Sequence, residues 1–108
     1  MKGCEARDED GFRIVSVSGE VDLSWSSDVR SAILDALNQH SAVLVELSGV
    51  SYIDSSGIAA LVEGYQTSKS RGASFGLLGI SDAVRAVLEL ARLDQVFPIF
   101  PDTAAAKG

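Results

Sequence analysis

Apolar and polar positions alternate in short runs along this chain, and between those runs the apolar positions recur at helical spacing. In "CEARDEDGFRIVSVSGEV" the pair Asp10-Gly11 is a turn signal, and Phe12, Ile14 and Val17 anchor the outgoing side. That pattern predicts a β-hairpin whose second strand ends at Gly19. In "SWSSDVRSAILDALNQH", Val29, Ile33, Ala36 and Leu37 fall at i, i+4, i+7 and i+8. They predict a helix capped by Ser26 or Ser27, with Asp28 in the first turn where the helix dipole favours an anion. Trp25, just before the cap, is expected to pack back onto the helix as a staple. "AVLVELSGV" is apolar, β-branched and interrupted by one charge, as in a central strand covered on both faces.

The second half repeats the alternation. "SSGIAALVEGYQTSKSRG" predicts a helix with Ile58, Leu61, Val62 and Tyr65 on its inner face and Gly72 just past its end. "SFGLLGI" predicts a strand. "SDAVRAVLELARLD" predicts a third helix, capped by Ser81 or Asp82, with Val84, Val87, Leu88 and Ala91 pointing inward. "QVFPIF" is too short and proline-bearing for a central strand and is placed at a sheet edge. "DTAAAKG" reads as a loose tail, so residues 1–102 form the domain and 103–108 a flexible end. Strand–helix–strand repeats after a hairpin give an α/β fold: one mixed, mostly parallel sheet of four or five strands packed against three or four helices.

Composition narrows the function. A chain of 108 residues has room for one core. Its formal net charge of -6, with Arg7, Arg13, Arg30, Lys69, Arg71, Arg85 and Arg92 scattered, provides no basic stripe for a nucleic acid. The same balance disfavours anionic lipid and suits a protein partner with a basic face. The single cysteine, Cys4, cannot close an internal disulfide or complete a cysteine zinc site. No run is long enough for a membrane span, and a cytoplasmic monomer without metal or cofactor is the expected state.

One junction stands out. In "SYIDSSGIA", Asp54, Ser55, Ser56 and Gly57 lie between a strand and the helix after it, where α/β sheets gather functional groups. Ser55 is placed to cap the helix and Ser56 to occupy its first turn, beside free N–H groups that would stabilise a phosphate. From spacing alone two readings stand: a serine switch, in which phosphorylation adds about 1.5 to 2 negative charges, or a plain helix cap at Asp54-Ser55. Hydrolase chemistry lacks parts, since His40 is the only histidine and no Gly-x-Ser-x-Gly occurs. "DSSG" differs from the Asp-Ser-Gly of aspartic proteases by an extra serine and by the helical period that follows it. Gly72, Gly76 and Gly79 form no phosphate-binding loop pattern. Glu20 and Asp22 of "GEVD" read as solvated loop charges, unless their loop lies beside Ser56.

Taken together, "VSGEVD", "LVELSGVSYIDSSGIAALVEGY" and "SFGLLGISDAVRAVLELARLDQVFPIF" resemble the STAS domains of bacterial anti-sigma factor antagonists. The resemblance spans most of the chain. It implies a protein-binding switch without catalysis. Unphosphorylated, such a protein binds an anti-sigma factor serine/threonine kinase and so frees the sigma factor; phosphorylation, here at Ser56, weakens that complex, and a PP2C-type phosphatase reverses it. By the same resemblance, Asp22, Asp54, Ser55, Ser56, Gly57 and Ile58 form the partner surface, and ATP belongs to the kinase. Two other roles are implied by related modules: the STAS subunit of a lipid-transport ABC system, bound to an ABC transporter ATPase, and a partner-switching antagonist whose output is not transcription.

Overall fold

The structure, a computed structural model, describes residues 3–108. Strands β1 (Gly3–Glu9) and β2 (Phe12–Val21) form the hairpin, and Asp10 and Gly11 take positive φ of 54° and 87°, as a two-residue turn of this hand requires. There follow α1 (Ser26–Gln39), β3 (Ala42–Ile53), α2 (Ser55–Arg71), β4 (Ser74–Leu78), α3 (Asp82–Leu90), a 3-10 turn at Leu93–Gln95, β5 (Ile99–Phe100) and α4 (Thr103–Lys107). The strands lie in the order β1-β2-β3-β4-β5; the first pair is antiparallel and the others are parallel. This is the mixed, mostly parallel α/β sheet that the chain pattern predicts.

The main core lies on one face of the sheet. Val15, Val17, Val43, Val45, Leu47 and Leu77 from the strands meet Val29, Ile33 and Leu37 of α1, Leu61 of α2, and Val84 and Leu88 of α3. The opposite face is apolar only at one end, where Ile14, Leu44 and Leu78 are closed over by Phe12, Phe100 and Ala106. Full coverage of the central strand is therefore corrected. Beyond Leu44 the second face of β3 turns polar: Glu46 accepts from Arg7 Nη1 at 3.0 Å and from Ser16 Oγ at 2.9 Å. The Arg7 guanidinium holds the Glu46 carboxyl below its usual range.

Several boundaries differ from expectation for local reasons. Gly19 does not end β2; it sits inside the strand at a φ of 86°, beside a register shift, and the strand continues to Val21. Such bulges re-aim a strand end rather than terminate it. Neither Ser26 nor Ser27 caps α1, because Trp25 occupies the cap position and the Asp22 carbonyl takes the Ser26 N–H at 2.9 Å. Trp25 is buried, as a packing residue should be, and its indole N–H donates to the Glu20 carbonyl.

The inner line of α2 is Gly57, Ala60, Leu61, Gly64 and Ser68; Ile58, Val62 and Tyr65 pack only at its margin. A Cβ at Gly64 would stand 2.7 Å from Ile33 Cγ2 and 3.1 Å from the Phe75 ring. Small residues thus set how closely α2 approaches α1. Arg30 joins the same two helices, donating to both Glu63 carboxylate oxygens at 2.6 and 2.7 Å.

Gly72 ends α2 in the left-handed region at a φ of 69°, and Ser81 caps α3 by accepting from Val84 N–H at 3.2 Å. Ala91 is not an inward position: α3 stops at Leu90, the chain reverses at Arg92 with a φ of 61°, and Ala91 is exposed. The last residues also differ from a loose tail. Asp102 caps α4 with a 2.8 Å bond from Ala105 N–H, and the buried Thr103 hydroxyl donates to Asp10 Oδ2 at 2.5 Å, fastening α4 to the hairpin turn.

Candidate functional site

The two adjacent strands β2 and β3 run parallel, so their carboxyl ends emerge side by side, with Glu20 opposite Tyr52 and Val21 opposite Ile53. The loops that follow therefore start together: Asp54 N–H donates to the Val21 carbonyl at 3.1 Å. On one side, the Asp22 carboxylate accepts from Ser24 N–H at 3.0 Å and from the Ser24 hydroxyl at 2.5 Å, closing a tight turn of the kind an aspartate makes with its own chain. On the other, Asp54 begins α2.

Asp54, not Ser55, is the cap. Its Oδ1 accepts from Ser56 N–H at 2.9 Å and Gly57 N–H at 3.3 Å, meeting two of the unpaired donors at the helix start. The same oxygen accepts the Ser56 hydroxyl proton at 2.5 Å. That hydroxyl, chiefly, holds the Asp54 carboxyl below its ordinary value, with N–H groups of Gly57, Ser56 and Leu23 adding to the effect. Because the folded state favours the carboxylate, Asp54 adds stability at pH above its ordinary value and loses it as pH falls through the lowered one. The melting-temperature advantage of the wild type over Asp54→Asn is thus expected to shrink from about pH 6 to about pH 3. An advantage that grows on acidification would refute this account of the cap.

Gly57 is buried directly beneath. A Cβ there would lie 2.7 Å from Ile53 Cγ1 and 2.8 Å from Val21 Cγ1, so only glycine lets the first turn of α2 rest on the two strand ends. Ser55 is exposed and Ser56 half-buried, while Ile58 packs against the core. The structure thus brings together Asp22, Asp54, Ser55, Ser56, Gly57 and Ile58. Glu20 is exposed and Asp22 half-buried, and the segment that carries them passes beside the start of α2, where Asp54 N–H reaches the Val21 carbonyl. Residues 19–29 and 50–62 contain Glu20, Asp22, Asp28 and Asp54 and no Lys or Arg, so these two segments are acidic.

Pattern reading passed over two residues here. Leu23 is 80% exposed and Tyr52 is 49% exposed, on the segments flanking Ser56. The signal for Leu23 was an apolar residue in "VDLS", in step with neither a strand nor a helix. His40 offers no base: it lies at the other end of the parallel strands, its Nε2 accepting from Arg13 Nε at 2.8 Å. Among the described residues, no group of three or more His, Cys, Asp or Glu is placed to hold a metal ion, and no helix is long and apolar enough to cross a membrane.

Comparison with known proteins agrees with this arrangement. The family model described as the STAS domain matches residues 4–106. An anti-sigma-B factor antagonist of Listeria monocytogenes is 30% identical over 94 residues, covering 86% of this chain and 82% of its own. An anti-sigma-F factor antagonist of Mycobacterium tuberculosis is 29% identical over 96 residues, covering 86% of this chain and 76% of its own. The crystal structure of an anti-sigma factor antagonist from Mycobacterium paratuberculosis superposes with a TM-score of 0.84 at 29% identity, covering 98% of this chain and 95% of that one. A STAS match over nearly the whole chain, with an anti-sigma-B factor antagonist 30% identical to it, means that the chain belongs to the STAS domain family of bacterial anti-sigma factor antagonists.

Proposed function

We propose that this chain is a phosphorylation-controlled protein-binding switch: with Ser56 unmodified it binds an anti-sigma factor serine/threonine kinase and frees the sigma factor. Phosphorylation of Ser56 ends that complex, and a PP2C-type phosphatase restores it. The observation that supports this most is the placing of the Ser56 hydroxyl in the first turn of a 17-residue helix, at the surface where two loops converge. A kinase can reach it there, and a partner fitted to a neutral hydroxyl has no place for a hydrated phosphate. The names of the curated relatives and of the Mycobacterium paratuberculosis structure, anti-sigma factor antagonists, point the same way. The remaining site residues have separate parts: Asp54 orients the serine, Gly57 seats the helix, and Asp22, Ser55 and Ile58 border the contact.

The test is phosphate transfer. Wild-type, Ser55→Ala and Ser56→Ala chains serve as baits in lysate of the source organism, and the retained serine kinase is then supplied with labelled ATP. Label is expected on the wild type and on Ser55→Ala, and none on Ser56→Ala. Label reaching Ser56→Ala at the wild-type rate would overturn the site. An ABC ATPase retained in place of any kinase would overturn the function.

A further inference from the structure

The two edges of the sheet are built differently. β5 has two residues, Ile99 and Phe100, set between Pro98 and Pro101, so that edge has little main chain to offer another strand. β1 forms the other edge, and its seven residues, Gly3–Glu9, pair one for one with β2 from Ser18 to Phe12 without a register shift. Neither proline nor bulge interrupts β1, and Glu5 to Glu9 are all exposed. Half of its main-chain N–H and C=O groups point away from β2, with no strand of the sheet beyond them.

Charge is what guards this edge, and the charges complement themselves. Glu5 and Arg7 stand on one face by strand alternation, the face that carries Glu46. Arg7 donates through Nε to Glu9 at 3.1 Å and through Nη1 and Nη2 to Glu46 at 3.0 and 3.4 Å, which leaves each Nη one more hydrogen. Among the described residues the Glu5 carboxylate has no partner. We propose that β1 is the docking edge for a second copy of this chain, paired antiparallel about a two-fold axis through Ala6. In that register each Glu5 lies opposite Arg7 of the other copy, so two opposite-charge pairs close at once. Moving the axis one residue, to Glu5 or to Arg7, opposes like charges instead. The contact is one strand per copy, in the class of interfaces below about 1,200 Å², so the dimer is weak and concentration-dependent. It revises the monomer expected from sequence. The joint lies two strands from β3, whose end leads to Ser56, so the dimer and the proposed switch stand or fall separately.

Sedimentation equilibrium of the full chain, from about 10 μM to about 1 mM, follows the association. The wild type is expected to dimerise, and Glu5→Lys and Arg7→Glu each to associate about tenfold more weakly, because either change turns two attractive pairs repulsive. An equimolar mixture of those two variants is expected to regain association, since every opposed pair is then of opposite charge. Arg7→Glu also gives up the contact with Glu46, so a test that leaves the charges in place stands beside it. Opposed Cα atoms in an antiparallel pair lie about 4.5–5.5 Å apart, within disulfide range. On a Cys4→Ser background, Ala6→Cys is therefore expected to crosslink under oxidation about tenfold faster than Asp8→Cys, whose thiols are four residues out of step. The proposal fails if the wild type stays monomeric at about 1 mM. It fails equally if the single variants associate like the wild type, if the mixture associates no better than its parts, or if positions 6 and 8 crosslink alike.

Discussion

Ser56→Asp is expected to weaken the kinase complex by about a hundredfold while leaving the fold intact, an effect of about 3 kcal/mol. An unpaired charge enclosed at an interface costs about 2–5 kcal/mol, and the new carboxylate would stand beside the Asp54 carboxylate, which Ser56 contacts at 2.5 Å. In the free protein the terms are smaller and opposed. An acid in the first helical turn gains about 0.3–1 kcal/mol from the dipole, and repulsion from Asp54 offsets it. Binding should therefore fall with little change in melting temperature. Titration calorimetry with the purified kinase, beside thermal melts, checks both halves. Ser56→Asn, of similar size without charge, is expected to keep affinity within about tenfold of wild type; a loss equal to that of Ser56→Asp would assign the effect to size.

The largest stability effect is expected at Ile33, which is fully buried where α1 meets α2. Ile33→Ala removes packed atoms from a core with no polar substitute nearby, and truncations of this kind cost about 2–5 kcal/mol. Domains of this size hold about 5–15 kcal/mol in total, so the variant should melt many degrees lower. Gly64→Ala acts from the opposite side of the same contact. Alanine gains about 1 kcal/mol of helix propensity over glycine, yet its Cβ would sit 2.7 Å from Ile33 Cγ2, and overpacking costs about 1–3 kcal/mol. Overlap wins, and the single variant loses stability modestly. Combined with Ile33→Ala, the same methyl enters vacated space, so the double variant should be more stable than the sum of the singles by about 0.5–3 kcal/mol. Denaturant melts of the four proteins measure that coupling. Strict additivity would mean that α2 is not seated on Ile33.

The parallel sheet and the strand-to-helix junction that carries Ser56 were legible for a shared reason: both rest on local patterns. Alternation and helical spacing identify strands and helices without knowledge of their neighbours, and Asp-Ser-Ser-Gly between them marks a junction. Cap identity was not legible. Asp54, Ser55, Ser26 and Ser27 all have the chemistry of caps, and the choice among them depends on where the incoming strand leaves the chain. The Asp22 carbonyl reaching Ser26 N–H removed the need for a side-chain cap on α1. The inner face of α2 was misread because pattern reading credits large apolar side chains, whereas close helix packing is achieved here by Gly57, Ala60 and Gly64.

By itself, the order of residues determined the α/β class, the Asp10-Gly11 hairpin, the Gly72 helix end, and the position of Ser56 at a strand-to-helix junction. These depend on backbone preferences and hydrophobic spacing within a few residues. Only the tertiary structure decided that the loop after β2 starts beside the first turn of α2, that Asp54 N–H meets the Val21 carbonyl, and that residues 103–107 form a helix tied to Asp10. Those contacts join residues about 33 to 93 positions apart along the chain. They form because parallel pairing of β2 and β3 carries two distant loops to one end of the sheet, and no local preference encodes which strands will be neighbours.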